Sequence, residues 1–413
     1  MRFKLADLPP KNQEELFIEK PSVRPEINNN CRIKIVGIGG TGCKTVNFMM
    51  KGNAFHSMPE VNFVTINTDK QDLNTAKTMY KVQIGIKLTS GLGSGGKPDV
   101  GKKAMEENYE DVKEIIKFPS LVSGYPGINV SAAKQVIQNS PYNERNVVFI
   151  ICGMGGGTGT GASPLIAQIA KEEGAFVVGI VTTPFYLEGD VRQQQANEGI
   201  CKLKRYTDAL ITIPNDKLFS SMNTSDFSME KPIKKENVPD IKLPFADSYK
   251  ENLFTKANKV LAQLIQELVE IILYPGQVNI DFADVCSIIG ERGETNIGIG
   301  KAKGEDRAFK AVKQALSFSS LSEKQIKKAT GVLFNITSGN NITPQEFQQI
   351  LSLIKDSTKV DTNIIFGIRV DDKLSDEIKV TLIAGGIKEE KRLNEKENLK
   401  IPAFKRRNIS ING

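Results

Sequence analysis

GMGGGTGTGASP, residues 153–164, carries six glycines in the nine positions 153–161. It follows an apolar run, NVVFIICGM (146–154), and leads into PLIAQIAKEEG (164–174), a stretch of helical character. A glycine turn between a strand and a helix sets a row of backbone N–H groups at the positive end of the helix, where an anion is favoured. Gly155, Gly156, Gly157 and Gly159 let the backbone approach such an anion closely, and Thr158 and Thr160 offer hydroxyls to phosphate oxygens. The pattern predicts a polyphosphate cradle.

A second glycine loop, GIGGTGCKT (37–45), allows three parses. Gly37, Gly39 and Gly42 fit the dinucleotide fingerprint, and Gly37 to Gly42 with Lys44 and Thr45 nearly fits the phosphate loop of nucleotide triphosphatases. In that phosphate loop the lysine follows the last glycine directly. Here Cys43 takes that place and Lys44 comes one residue later, a rotation of about 100° on a helix, so this parse fails. The dinucleotide parse wants an acid about 20 residues on, and Asp69 lies 27 residues after Gly42. Two glycine loops on one sheet suit a triphosphate gripped from both sides better than a dinucleotide bound by a dehydrogenase. A third loop, TSGLGSGGKPDVG (89–101), brings Gly95 and Gly96; alone it reads as a flexible turn, beside the others as closing over a γ-phosphate.

Outward from these loops, IKIVGIGG (33–40), NFVTINTD (62–69), AFVVGIVTTPF (175–185) and DALITIPND (208–216) join 146–154 as nearly continuous apolar runs. Helical stretches such as KTVNFMMKG (44–52) alternate with them, which predicts an α/β fold with a parallel sheet covered on both faces. NLFTKANKVLAQLIQELVEIIL (252–273) repeats apolar residues at helical spacing and predicts a long buried spine helix between domains. GVLFNITSG (331–339), TNIIFGIRV (362–370) and EIKVTLIAGG (377–386), with QEFQQILSLIKD (345–356) as a helix among them, predict a smaller α+β domain. The expected divisions are a flexible extension 1–30, a first domain 31–250 with inserted loops 119–145 and 220–246, a central helix 251–275, a second domain 276–387 and a tail 388–413.

Charged residues make up 25% and apolar residues 39% of the 413, the balance of an ordinary globular protein. Of the net charge of +7, residues 388–413 supply eight Lys/Arg against four Glu. The body is therefore nearly neutral, which argues against nucleic-acid binding. Cys31, Cys43, Cys152, Cys201 and Cys286 form no C-x-x-C pair, and His56 is the one histidine. Zinc and His-based triads are disfavoured, and reduced thiols in a cytoplasmic setting are expected; Cys43 reads as a small buried residue more readily than as a reactive thiol. No apolar run approaches the roughly 18 residues of a membrane span, and residues 1–30 lack a signal-peptide core.

NIDFAD (279–284) follows the spine helix, and Asp281 and Asp284 would share one face of a new helix. Such carboxylates can orient a water for attack on phosphorus; the plainer role is capping of that helix by Asn279 and Asp281. From Phe254 to Ile272 the spine spans roughly 27 Å at 1.5 Å per residue. With the nucleotide near its start, the acids cannot reach it and could serve only a nucleotide on a neighbouring subunit. A site completed head-to-tail builds an open filament unless it closes into a ring.

At this point the chain resembles the FtsZ family, the bacterial tubulin-like division GTPases. GMGGGTGTG is similar to the tubulin-type GTP-binding signature, and VNFVTINTD (61–69), KLTSGLGSGGKPDVG (87–101), ITIPNDKL (211–218), NIDFADV (279–285) and GVLFNITSG (331–339) follow in the family's order. The resemblance runs from about Ile33 to Gly386. It implies a GTP-binding first domain, GTP/GDP and Mg²⁺ as ligands, and hydrolysis activated by head-to-tail self-assembly. Gly40, Thr41, Gly42, Cys43 and Lys44 match the family's first loop, and Gly157, Thr158 and Gly159 its phosphate signature. Glu188 and Arg192 correspond to a pair near ribose and phosphates, otherwise a solvated i, i+4 ion pair. Asn215 and Asn258 match guanine-reading positions, Phe254 the ring stacked on the base, and Asn279, Asp281 and Asp284 the loop inserted into the neighbour's site.

LKIPAFKRR (399–407) resembles the family's tail peptide. Ile401, Pro402, Ala403, Phe404, Arg406 and Arg407 would then bind membrane-tethering and regulatory division proteins, with no nucleic acid and no membrane insertion by the chain itself. The implied location is the cytoplasmic face of the membrane at the division site. The departures are Cys43 and Lys44, where relatives carry asparagine or glycine, Asn258 in place of a common aspartate, the two insertions, and a short linker at about 388–398. A polymerising relative with a non-division role, or a nucleotide-binding module without turnover, are the alternatives.

Overall fold

The computed structural model describes residues 31–51, 55, 58, 60–118, 145–220, 245–290, 293–318 and 323–387. The extension 1–30, most of both expected insertions and the tail peptide lie outside the described residues. Ten strands are present: β1 (Cys31–Ile38), β2 (Val61–Asn67), β3 (Tyr80–Gln83), β4 (Arg145–Gly153), β5 (Phe176–Thr183), β6 (Ala209–Pro214), β7 (Glu294–Lys303), β8 (Gly331–Ser338), β9 (Asn363–Val370) and β10 (Glu377–Ile387). The helices of eight or more residues are α1 (Gly39–Lys51), α2 (Pro98–Glu107), α3 (Tyr109–Ile116), α4 (Thr158–Glu172), α5 (Asp190–Leu203), α6 (Phe245–Leu273), α7 (Phe282–Ile289), α8 (Arg307–Ser317) and α9 (Pro344–Ser357).

The strands follow the order β3-β2-β1-β4-β5-β6-β7-β10-β8-β9. The first six pair in parallel, as their unbroken apolar runs require. β10 runs antiparallel to β7 and β8, and β9 lies parallel to β8. The two halves meet through the β6–β7 pair Ile211–Thr295, so the smaller α+β unit extends the parallel sheet rather than forming a separate one.

The spine helix is α6. Leu261, Leu264, Ile265, Leu268 and Val269 pack in one cluster with Ile33, Ile35, Phe149, Ile180 and Ile211 from one face of the parallel sheet. The opposite face is covered by α2, α3 and α4, with Met105, Ile116 and Ile166 fully buried. Each large side chain withdrawn from water in this way contributes about 1.5–3 kcal/mol.

Three departures from the sequence expectation have physical causes. First, α1 begins at Gly39 and α4 at Thr158, five and six residues earlier than periodicity predicts. Glycine disfavours helix, but a Cβ at Gly42 would stand 2.3 Å from the Ile151 carbonyl oxygen, and one at Gly161 would stand 2.0 Å from that of Pro98. Packing distance outweighs propensity there. Second, α6 starts at Phe245, inside the expected insertion 220–246, whose first residue ends a short helix, Asn215–Ser220. Third, ETNIGIGKAK forms β7, although it mixes polar and glycine residues. Its Gly300 lets α8 close in, since a Cβ there would lie 1.9 Å from the Ala311 carbonyl oxygen.

Two buried cations fasten the edges. Lys34 on β1 donates to the carbonyls of Ile115, Ile116 and Lys117 at 2.6, 3.2 and 2.7 Å, satisfying the end of α3. Burial, with Arg32 nearby, pulls its ammonium down to about 8. In the smaller unit, buried Arg307 grips Glu346 at 2.6 and 3.1 Å and Asp376 at 3.0 Å. The Arg307 hydrogen bond holds Glu346 at about 2, below its ordinary 4.5. A carboxyl depressed on folding stabilises the protein above its unfolded value and loses that contribution as pH falls through the folded one. The thermal midpoint is therefore expected to drop between pH about 4.5 and about 2, and Glu346→Gln to remove that part of the profile.

Candidate nucleotide site

The carboxyl ends of β1, β4, β5 and β6 open into one cleft of about 350 Å³, the position where open α/β sheets bind ligands. Ile38, Gly39, Gly40, Thr41 and Lys44 form one wall, Gly153, Met154, Gly156, Gly157, Thr158 and Gly159 another. Thr182, Pro184, Glu188, Arg192, Asn215, Phe254, Asn258 and Ser94 complete it. Thus the first two glycine loops share one cleft, and they touch: a Cβ on Gly39, whose φ is +70°, would come within 3.1 Å of the Gly159 nitrogen.

The cradle suits an anion. At Gly157 a Cβ would strike the Ser94 hydroxyl at 2.2 Å and the Lys97 nitrogen at 2.8 Å, so no side chain can fill the place. Gly157, Thr158 and Gly159, at the start of α4, line the opening, so the positive end of the helix dipole lies at the cleft. The threonine hydroxyls do other work than expected. Thr158 Oγ1 is shared with Thr68 Oγ1 at 2.7 Å and Ser94 Oγ at 3.0 Å, while Thr160 Oγ1 accepts from the Gly155 N–H at 2.9 Å. The Thr158 hydroxyl thus ties its loop to two others, and the Thr160 hydroxyl braces its own loop.

Several expected residues stand outside the cleft walls. Gly42 and Cys43 lie on the buried face of α1, and burial pushes the Cys43 thiol up to about 12, so it is no reactive thiolate. Asp69 caps the short helix Lys70–Thr75, accepting from Gln71 N at 2.8 Å and Asp72 N at 3.4 Å. Gly95 and Gly96 adopt left-handed conformations (φ +59° and +72°) in an exposed turn, and Ser94 reaches the cleft in their stead. Gly155 (φ +91°) shapes the loop, because a Cβ there would meet Pro184 and the Arg192 carbonyl. Thr160 is turned into the loop by its bond to Gly155. Ile38, Ser94, Gly153, Met154, Thr182 and Pro184 line the cleft without having been singled out; Gly153 and Met154 were already legible as members of the glycine stretch.

The end of the cleft away from the cradle suits a base. Phe254 is held edge-on by Phe185, with ring centroids 5.3 Å apart. Asn215 and Asn258 are buried, and Asn258 Oδ1 accepts from Thr45 Oγ1 at 3.4 Å. Glu188 and Arg192 form the i, i+4 ion pair and both line the cleft; Glu188 also accepts from the Phe185 N–H at 2.8 Å. Among the described residues no group of three or more His, Cys, Asp or Glu side chains could hold a metal.

Asp281 and Asp284 lie elsewhere. Asp281 stands at the N-cap position of α7, and Asp284 accepts from the Asp281 N–H at 3.3 Å, so Asp284 helps to close the start of that helix. Phe282 between them packs on Phe176, the first residue of β5, with centroids 5.7 Å apart. The cleft residue Thr182 is at the far end of that strand, roughly 20 Å away at 3.3 Å per residue. Asn279 is exposed beside them.

A family model described as the Tubulin/FtsZ family GTPase domain matches residues 32–125 and 121–223, and one described as the FtsZ family C-terminal domain matches 293–388. An FtsZ dimer from M. jannaschii is 33% identical over 86% of this chain and 88% of its own, with a TM-score of 0.66. The chain belongs to the tubulin/FtsZ family. A point mutant of the M. jannaschii FtsZ is similarly placed, at 34% identity over 87% and 92% of the two chains and a TM-score of 0.66. CetZ2 from Haloferax volcanii, described as a GTPγS-bound protofilament, shares the fold at 18% identity, covering 91% and 99%, with a TM-score of 0.64. GTP binding and GTPase activity are traits of the family. Among the described residues no helix is long and apolar enough to cross a membrane.

Proposed function

We propose that this chain is a GTP-hydrolysing, self-assembling cytoskeletal protein that scaffolds the cell-division ring on the cytoplasmic face of the membrane. One observation carries the reading: the glycine cradle and the acid pair occupy opposite ends of the same sheet. The cleft residues bind and orient the nucleotide, with backbone N–H groups on the phosphates, Phe254 stacked on the base and Asn215 and Asn258 reading its edge. Mg²⁺, carried on the phosphates, would offset their charge. Asp281 and Asp284 of one subunit then face the γ-phosphate held by the next, where a carboxylate can orient the attacking water and accept its proton.

Exposed apolar side chains around the cleft support a subunit contact there. Tyr186, Leu187, Val191 and Leu92 are 79%, 91%, 73% and 85% exposed, an apolar rim of the kind that a partner surface covers. The FtsZ relatives at 33–34% identity support a division role over that of the CetZ proteins, whose 16–18% likeness extends to the fold. Membrane attachment through Ile401, Pro402, Ala403, Phe404, Arg406 and Arg407 belongs to the same proposal.

Phosphate release measured against protein concentration tests it. Turnover per subunit is expected to rise sharply above a threshold concentration, and polymer to pellet with a non-hydrolysable GTP analogue but not with ATP. Turnover proportional to concentration throughout, or pelleting indifferent to nucleotide, would overturn the head-to-tail mechanism.

A further inference from the structure

Lys44 is an exposed cation on the cleft wall, and among the described residues no ion pair engages it. Arg192, the other cleft cation, is already matched by Glu188. Lys44 sits one turn into α1, on the face that also presents Gly40 and Thr41 to the cleft. Side chains on a helix lean toward its N-terminus, which for Lys44 is the end of α1 that carries Gly40 and Thr41.

An ammonium is a compact point charge on a flexible arm and neutralises a polyphosphate without a fixed geometry. We propose that Lys44 is a built-in counter-charge for the phosphates, letting the cleft hold guanosine diphosphate with little help from a divalent cation. This rests on the reading of the cleft as a nucleotide site. One unit charge several ångströms from a phosphate in a partly screened cleft raises affinity about tenfold to a hundredfold. The phosphate loop that Lys44 narrowly fails to complete is thus replaced by a cation arriving one residue later.

The test is calorimetric binding of GDP and of guanosine to the full chain, as wild type, Lys44→Ala and Lys44→Arg, in EDTA and in Mg²⁺ across a salt series. In EDTA the wild type is expected to bind GDP within about threefold of its affinity in Mg²⁺, and Lys44→Ala to bind it about 10–100-fold more weakly. Mg²⁺ should restore most of that loss. Lys44→Ala should show a flatter salt dependence, Lys44→Arg should behave as wild type, and guanosine affinity should be equal in all three. Equal losses for GDP and guanosine, an unchanged GDP affinity in Lys44→Ala, or no recovery in Lys44→Arg would each overturn the proposal. A wild-type chain that binds neither ligand would instead overturn the nucleotide reading of the cleft.

Discussion

Asp284→Ala is expected to lower assembly-stimulated phosphate release by about 10²–10⁴-fold, the usual scale for removing a general base, while GDP binds the isolated subunit as before. The separation follows from position. Phe282 anchors the acid pair to the start of β5, whereas Thr182 and Pro184 line the cleft beyond its other end. A carboxylate at that distance has no contact with the nucleotide of its own subunit. Because Asp284 also accepts from the Asp281 N–H, its loss weakens the capping of α7 by about 0.5–2 kcal/mol. Asp284→Asn distinguishes the roles: its amide oxygen can still accept from Asp281 but carries no charge. If catalysis is the role, Asp284→Asn pellets with a GTP analogue and yet hydrolyses as poorly as Asp284→Ala. An Asp284→Asn protein with wild-type turnover would reduce Asp284 to a cap and sink the proposed mechanism.

The glycine cradle was legible because its signal is local: a strand, a glycine turn and a helix occur within 146–174. The spine helix was legible for the same reason, since its apolar face is written at i, i+3 and i+4. The roles of Thr158 and Asp69 were not. Thr158 is decided by Thr68 and Ser94, residues 90 and 64 positions away in the chain. Asp69 sits where a ribose-binding acid would, but the short helix that follows it claims the carboxylate locally. β7 escaped notice because its burial is imposed by neighbours on both sides, β10 and α8, rather than by its own apolar content. Local pattern thus located the cleft, and long-range packing determined which side chains in it are free to act.

Lys379→Met is expected to cost about 3–5 kcal/mol of stability, because it strips the partner from a buried charge. Lys379 on β10 meets Glu267 of α6 at 2.6 Å and Glu270 at 3.7 Å, and Thr381 donates to Glu267 at 3.3 Å. Glu270 is held further by Arg369 at 2.8 Å, whose guanidinium lies 4.6 Å from the Tyr274 ring centre. Glu267 and Lys379 are 4% and 7% exposed, so water cannot replace the lost ammonium. Urea unfolding should show a lower midpoint for Lys379→Met, while Glu267→Leu with Lys379→Met should recover much of it, as apolar replacement of a buried pair often does. The double variant also isolates a second property. α6 presents Phe254 and Asn258 to the cleft and, roughly 20 Å further along, Glu267 and Glu270 to the smaller unit, so the ion network fixes the helix in register with β10 and β9. A restored midpoint with a raised concentration threshold for GTP hydrolysis would mean that the charges align the two halves of the subunit. A restored midpoint with an unchanged threshold would confine them to stability.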